Sequence, residues 1–220
     1  MVRIDWSEYS SNTENISLRY DQITEMNWEG VPSGLQEIDL QNNKITEMIW
    51  EGAPIGLQKI NLRGNQITEM NWKGAVSLND LHEIRLEFNQ ITKMNWEGAP
   101  SGLKMIDLWC NQITEMNWYK FPSSLKEIHL EGNQITEMNW EGVPEEAQIS
   151  PSDLNDLKNE YIKSMKYIKS KAKPLRPVTD QIKHLSLTNP ENSKCNVVRK
   201  YCGVEFREIM NEALGFDLVQ

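Results

Sequence analysis

The chain has 220 residues, with 23 Lys and Arg against 32 Asp and Glu, a net charge of −9, and 39% hydrophobic residues. That length holds one or two domains with a real core, and no apolar run approaches the ~18–20 residues needed to cross a bilayer. The acidity argues against general affinity for DNA or RNA, whose phosphates demand a basic face. Three cysteines, Cys110, Cys195 and Cys202, suit a reducing compartment better than a disulfide-stapled secreted domain.

The first residues, Met1 to Trp6, lack the apolar segment of a secretion signal, so a cytoplasmic location is expected. From there the chain repeats. Aligned on itself it has a period of 22, with Leu35, Leu57, Leu81, Leu103 and Leu125 opening successive units; the step from Leu57 to Leu81 is 24. Each unit reads L-x-x-I-x-L-x-x-N-x-I-T-x-M-x-W, as in Leu35, Ile38, Leu40, Asn43, Ile45, Thr46, Met48 and Trp50, followed by Gly52 and Pro54. An earlier unit has Thr13 in the leucine slot and Asp21 in the asparagine slot. Before it, Ile4 and Trp6 sit in the Met and Trp slots of a half unit expected to cap the stack. After Pro144 the pattern stops being legible, because Ala147 and Ser150 fall on the expected Leu and Ile slots.

The alternation of Ile38 and Leu40 with Glu37, Asp39 and Gln41 predicts a strand buried on one face. Stacked units then build a parallel sheet. Asn43, Asn65, Asn89, Asn111 and Asn133 fall where the chain leaves the sheet, and a buried amide there can bond backbone groups of its own and the next turn. The Met-x-Trp step predicts an extended back face, with Trp28, Trp50, Trp72, Trp96, Trp118 and Trp140 as a core ladder. Beyond residue 144 the character changes. Residues 1–144 carry 11 basic and 21 acidic side chains, whereas 145–220 carry 12 and 11. Ser150, Pro151, Ser152 and Asp153 predict a helix start with Ser150 as cap. Leu154, Leu157, Tyr161, Met165 and Ile168 form its apolar stripe, and Lys158, Lys163 and Lys166 a basic solvated face. A second helical pattern runs from Val197 through Leu214. The expected division is therefore 1–144, a half-repeat (1–12) plus six repeats from residue 13, and 145–220, a helical region.

The L-x-x-I-x-L-x-x-N-x-I units resemble the leucine-rich repeat consensus, in six copies over residues 13–144. Their length and Gly-x-Pro ending are similar to the short cytosolic repeats of intracellular bacteria and large DNA viruses. The resemblance implies an α/β-class solenoid: a parallel sheet on the concave face, a mostly extended convex face, and a helical C-terminal cap. It also implies protein binding without catalysis or cofactor.

Slots that vary from unit to unit are free for recognition. Three rows vary on the sheet face: Ser17, Asp39, Asn61, Arg85, Asp107 and His129; then Arg19, Gln41, Arg63, Glu87, Trp109 and Glu131; then Tyr20, Asn42, Gly64, Phe88, Cys110 and Gly132. Trp109 stands out because it is the one tryptophan of eight outside a Met-x-Trp slot. It is expected to anchor a protein partner together with Arg63, Arg85, Glu87, Phe88, Asp107, His129 and Glu131, since aromatic and arginine side chains are enriched at interfaces. The plainer expectation is that Trp109 covers its neighbours while Arg85 and Asp107 pair across adjacent strands. Two other functions stand beside partner binding. One is a structural spacer. The other is an effector-type enzyme using Cys195 or Cys202 in the C-terminal region, where no residue pattern supplies an activating neighbour. No metal, nucleotide or hydrolase motif occurs.

Overall fold

The computed structural model describes residues 2–171 and 185–186. The second helical pattern and both Cys195 and Cys202 lie outside the described residues. Short strands recur at the repeat spacing: β1 (Asn15–Ser17), β2 (Glu37–Asp39), β3 (Lys59–Asn61), β4 (Glu83–Arg85), β5 (Met105–Asp107), β6 (Glu115–Asn117), β7 (Glu127–His129), β8 (Glu137–Asn139) and β9 (Gln148–Ser150). Helix α1 (Ser152–Lys171) follows, and β10 (Leu185–Ser186) is the last described element.

Seven of these strands make one sheet in the order β1-β2-β3-β4-β5-β7-β9, parallel throughout, with Ile16, Ile38, Ile60, Ile84, Ile106, Ile128 and Ile149 in register. The chain is a parallel-strand solenoid closed at one end by a helix. The central isoleucine of every strand is buried, and its two neighbours face the other way, as the period of two requires.

The asparagines bond backward. Asn89 donates to Leu86 O in its own turn and to Leu62 O in the preceding turn, both at 3.0 Å, and its Oδ1 accepts from Ile67 N at 3.0 Å. Asn43, Asn65, Asn111 and Asn133 repeat the triplet. The expected link to the next turn is therefore corrected to the turn before. Each amide satisfies three backbone groups that the bend strips of partners.

On the back, the indoles stack with centroid separations of 5.8–6.5 Å for Trp50–Trp72 and Trp72–Trp96, at 15° and 17°. From Trp28 to Trp96 the indole N–H donates to the backbone carbonyl just before the next tryptophan: Trp28 to Ile49 O, Trp50 to Asn71 O, Trp72 to Asn95 O, Trp96 to Asn117 O. Because the acceptor is backbone, that position tolerates Ile49 in place of asparagine. Strands β6 and β8 form there, so the back face is extended as expected, and β10 pairs antiparallel with β8.

The sheet runs one strand past Pro144. The step from Ile128 to Ile149 is one residue short of the repeat, which moves the isoleucine off its expected slot and leaves buried Ala147 where leucine stood. Ser150 ends this strand rather than capping α1, which starts at Ser152; the Ser150 hydroxyl is buried without a partner among the described residues. Leu154 enters the core, and Leu157 and Tyr161 pack against it. Lys158 departs from the expected solvated face. It is buried, and its Nζ donates to Glu145 O at 3.0 Å and to Ala147 O. Burial holds its ammonium below the usual lysine pKa, with Glu146 and Glu145 pulling the other way. The lysine thus caps carbonyls at the end of the stack.

Candidate functional site

The polar face of the sheet is hollowed. A concavity of about 430 Å³ spans β1 to β4, floored by the strand residues from Asn15 to Arg85. Its charges are mutually satisfied: Arg19 pairs with Asp39 (2.5 Å), Lys59 with Glu37 (3.0 Å) and Arg85 with Glu83 (2.8 Å). The cross-strand Arg85–Asp107 pair is not formed, although the two are in register. Arg85 turns to its own strand, and the Asp107 carboxylate is taken instead by His129 Nδ1 at 3.0 Å and by the Trp109 backbone N–H at 3.0 Å.

Farther along, the face becomes aromatic. Phe88 is 40% exposed and Trp109 41%, and their rings meet edge to face with centroids 4.9 Å apart. The Arg63 guanidinium lies over Phe88, 4.8 Å from its centroid. Arg63, Phe88 and Trp109 therefore form one cluster crossing three repeats, held from below by Asp107. Such exposed aromatic area beside an arginine is what interface anchors are made of.

Phe88 reaches this place at a cost. Its slot is left-handed in successive repeats, with φ of 57° at Asn42, 67° at Gly64, 55° at Phe88, 54° at Cys110 and 69° at Gly132. Glycine and asparagine adopt that conformation readily; phenylalanine and cysteine do not. A Cβ at Gly64 would lie 2.3 Å from Asn42 Oδ1, and one at Gly132 2.8 Å from Cys110 Sγ, so the side chains of Asn42 and Cys110 lean toward the following repeat.

Glu87 is a correction. Its slot is shared with Arg63, Trp109 and Glu131 and was expected to face solvent, yet it is only 6% exposed. Its Oε2 is buried with no hydrogen-bond partner among the described residues. Burial pushes this carboxyl above the ordinary range and Asp107 adds to the effect, while its own backbone N–H, Arg63 and Arg85 oppose it. Since Asp107, Arg63 and Arg85 all belong to the sheet face, the carboxylate sits on that face too. Nothing in the spacing gave this away, because the repeat alone makes residue 87 an outward slot. The adjacent bulky Phe88 and Trp109 were the available signal.

Glu131 is partly buried in the same row, one repeat beyond Trp109. Of the eight expected residues, the structure gathers Arg63, Glu87, Phe88, Asp107 and Trp109, joins His129 through Asp107, and sets Arg85 aside with Glu83. Among the described residues no group of three or more His, Cys, Asp or Glu is placed to hold a metal ion. Among them also, no helix is long and apolar enough to cross a membrane.

No protein-family model and no curated protein matches the chain. Solved structures match in 106 chains. One is described as the crystal structure of a TLR13–ssRNA13 complex, with a TM-score of 0.45 at 16% sequence identity, over 59% of this chain and 23% of that one.

Proposed function

We propose that this chain is an intracellular binding module that takes a protein partner on the concave sheet face, without turnover. The observation that carries this reading is the exposed Phe88–Trp109 pair with Arg63 stacked on it. Two large rings on an otherwise polar sheet contribute little to a fold whose apolar side is already filled by isoleucine, leucine and indole. Phe88 occupies a left-handed slot that favours glycine, and backbone strain of this kind costs about 1–3 kcal/mol and collects at functional sites. Removing the rings therefore has small consequences for stability and large ones for binding.

Affinity capture from the native cell, with the wild-type chain beside Trp109→Ala, tests this. A protein that wild type retains and the variant loses, with stability lowered by no more than the ~1.5 kcal/mol that an aromatic pair carries, supports the reading. A partner held equally by both chains points instead to a spacer or to another surface.

A further inference from the structure

Resting on that reading, we propose that the partner segment is basic, and that one of its arginine side chains stacks on Trp109 and pairs with Glu87.

The charge distribution of the sheet face favours this. Toward β1 the ions neutralise one another in the pairs Arg19–Asp39, Lys59–Glu37 and Arg85–Glu83. Around Trp109 the ions are not paired off in this way. Asp107 has His129, but the carboxylates Glu87 and Glu131, in the slot of Trp109 one repeat to either side, belong to none of the ion pairs formed among the described residues, and neither does Arg63, which lies over Phe88.

Within that region Glu87 is the atom-level pointer. A carboxylate oxygen taken out of water with no donor is expensive, and a donor arriving with the partner removes the penalty. The donor must also suit the aromatic wall. A guanidinium does both: it is planar and weakly hydrated, stacks on rings, and presents paired N–H groups to a carboxylate. The chain already makes the stacking half of this arrangement with its own Arg63 over Phe88. Trp109 holds the same slot as Arg63 two repeats along, and its ring is exposed. Bringing the guanidinium to Glu87 Oε2 requires side-chain rotation at the site, which is ordinary at interfaces. A nucleic-acid strand would bring stacking bases as well, but also phosphates, which Glu87, Asp107, Glu127 and Glu131 repel.

The test uses the full chain, a capped peptide of alternating arginine and glycine, and the same peptide with each arginine replaced by neutral, isosteric citrulline. Nitrogen-15 NMR reports the Trp109 indole N–H, identified as the signal missing from Trp109→Phe, and anisotropy of labelled peptide reports affinity. The arginine peptide is expected to shift that signal saturably and the citrulline peptide to leave it in place. Glu87→Gln should weaken the arginine peptide about tenfold, the scale of a charged hydrogen bond. Glu47→Gln, the same charge change on the convex edge, should leave affinity unaltered. Trp109→Leu, which keeps the charge and removes the stacking face, should weaken binding by a similar factor and serves if Glu87→Gln fails to fold.

Equal binding of citrulline, equal loss in Glu47→Gln, an unmoved Trp109 signal, or an oligouridylate shifting that signal in the peptide's place would each overturn the proposal. If the captured cellular partner depends on Trp109 while peptides show no arginine preference, only the basic-segment inference falls. Capture indifferent to Trp109 removes the binding face itself.

Discussion

The indole N–H of Trp96 donates to Asn117 O at 2.9 Å, whereas the same atom one repeat later, Trp118 Nε1, is buried with no acceptor among the described residues. Both rings touch Phe121 edge to face, and each stacks on one further tryptophan, Trp72 and Trp140 respectively. Their apolar surroundings are thus matched and the hydrogen bond is the difference. Trp96→Phe should cost about 2 kcal/mol more than Trp118→Phe, because the first loses a bond and orphans a carbonyl while the second removes an orphan. Urea melts of the two variants measure this directly. Equal losses would mean that indole hydrogen bonding contributes little to the ladder.

Asn89 should be the least replaceable polar residue of the interior. Asn89→Asp preserves shape but turns an amide that donates to Leu62 O and Leu86 O into a carboxylate facing both carbonyls. A loss above about 3 kcal/mol is expected near neutral pH, the scale of an uncompensated buried charge. The loss should shrink at acid pH as the group protonates. A variant as stable as wild type would refute the structural role of the ladder.

Phe88→Gly separates strain from recognition. Glycine fits φ of 55° freely, and the gain of about 1 kcal/mol offsets the lost contacts with Trp109 and Arg63. The variant is expected to melt at or above the wild-type temperature while losing the partner. A fall of several degrees would show that the ring belongs to the fold.

Glu87 gives a pH signature. Its carboxyl is raised in the folded chain above the ordinary 4.5, so near and above that value the folded state holds the proton more tightly than the unfolded state. The stability tied to that proton is complete below 4.5 and is lost as pH climbs through the raised folded value. Glu87→Gln cannot titrate there. It should therefore be more stable than wild type at pH 7, by about 1 kcal/mol, with the advantage fading toward pH 4.5. An advantage independent of pH would remove Glu87 as its source. The same substitution is expected to impair the basic-segment interaction, so stability and binding move in opposite directions.

The sequence made the solenoid legible because the interior repeats. Leucine, isoleucine, asparagine, methionine and tryptophan recur in slots that a stacked coil must fill alike in every turn. It showed less where identity and geometry separate. The seventh strand was hidden by a step one residue short and by Ala147 in a leucine slot. Indole hydrogen bonding was hidden because its acceptors are backbone atoms, indifferent to whether Asn71 or Ile49 supplies them. Lys158 reads as surface by type, yet its chain length lets it reach two terminal carbonyls from inside. Trp109 and Phe88 stood out as departures from the slot pattern. The burial of Glu87 in an otherwise outward slot is a matter of side-chain packing, which periodicity does not encode.

The backward reach of the asparagines gives the stack a direction of growth. Each amide finds its acceptors in its own turn and in the one before, so this bonding is complete without the following turn, whereas the indole N–H groups wait for it. Shortening the chain from its C-terminus leaves every surviving asparagine of this ladder with its three partners. Shortening from the other end strips the first survivor of two of its three partners, so the two series of truncations should lose stability unequally per repeat removed.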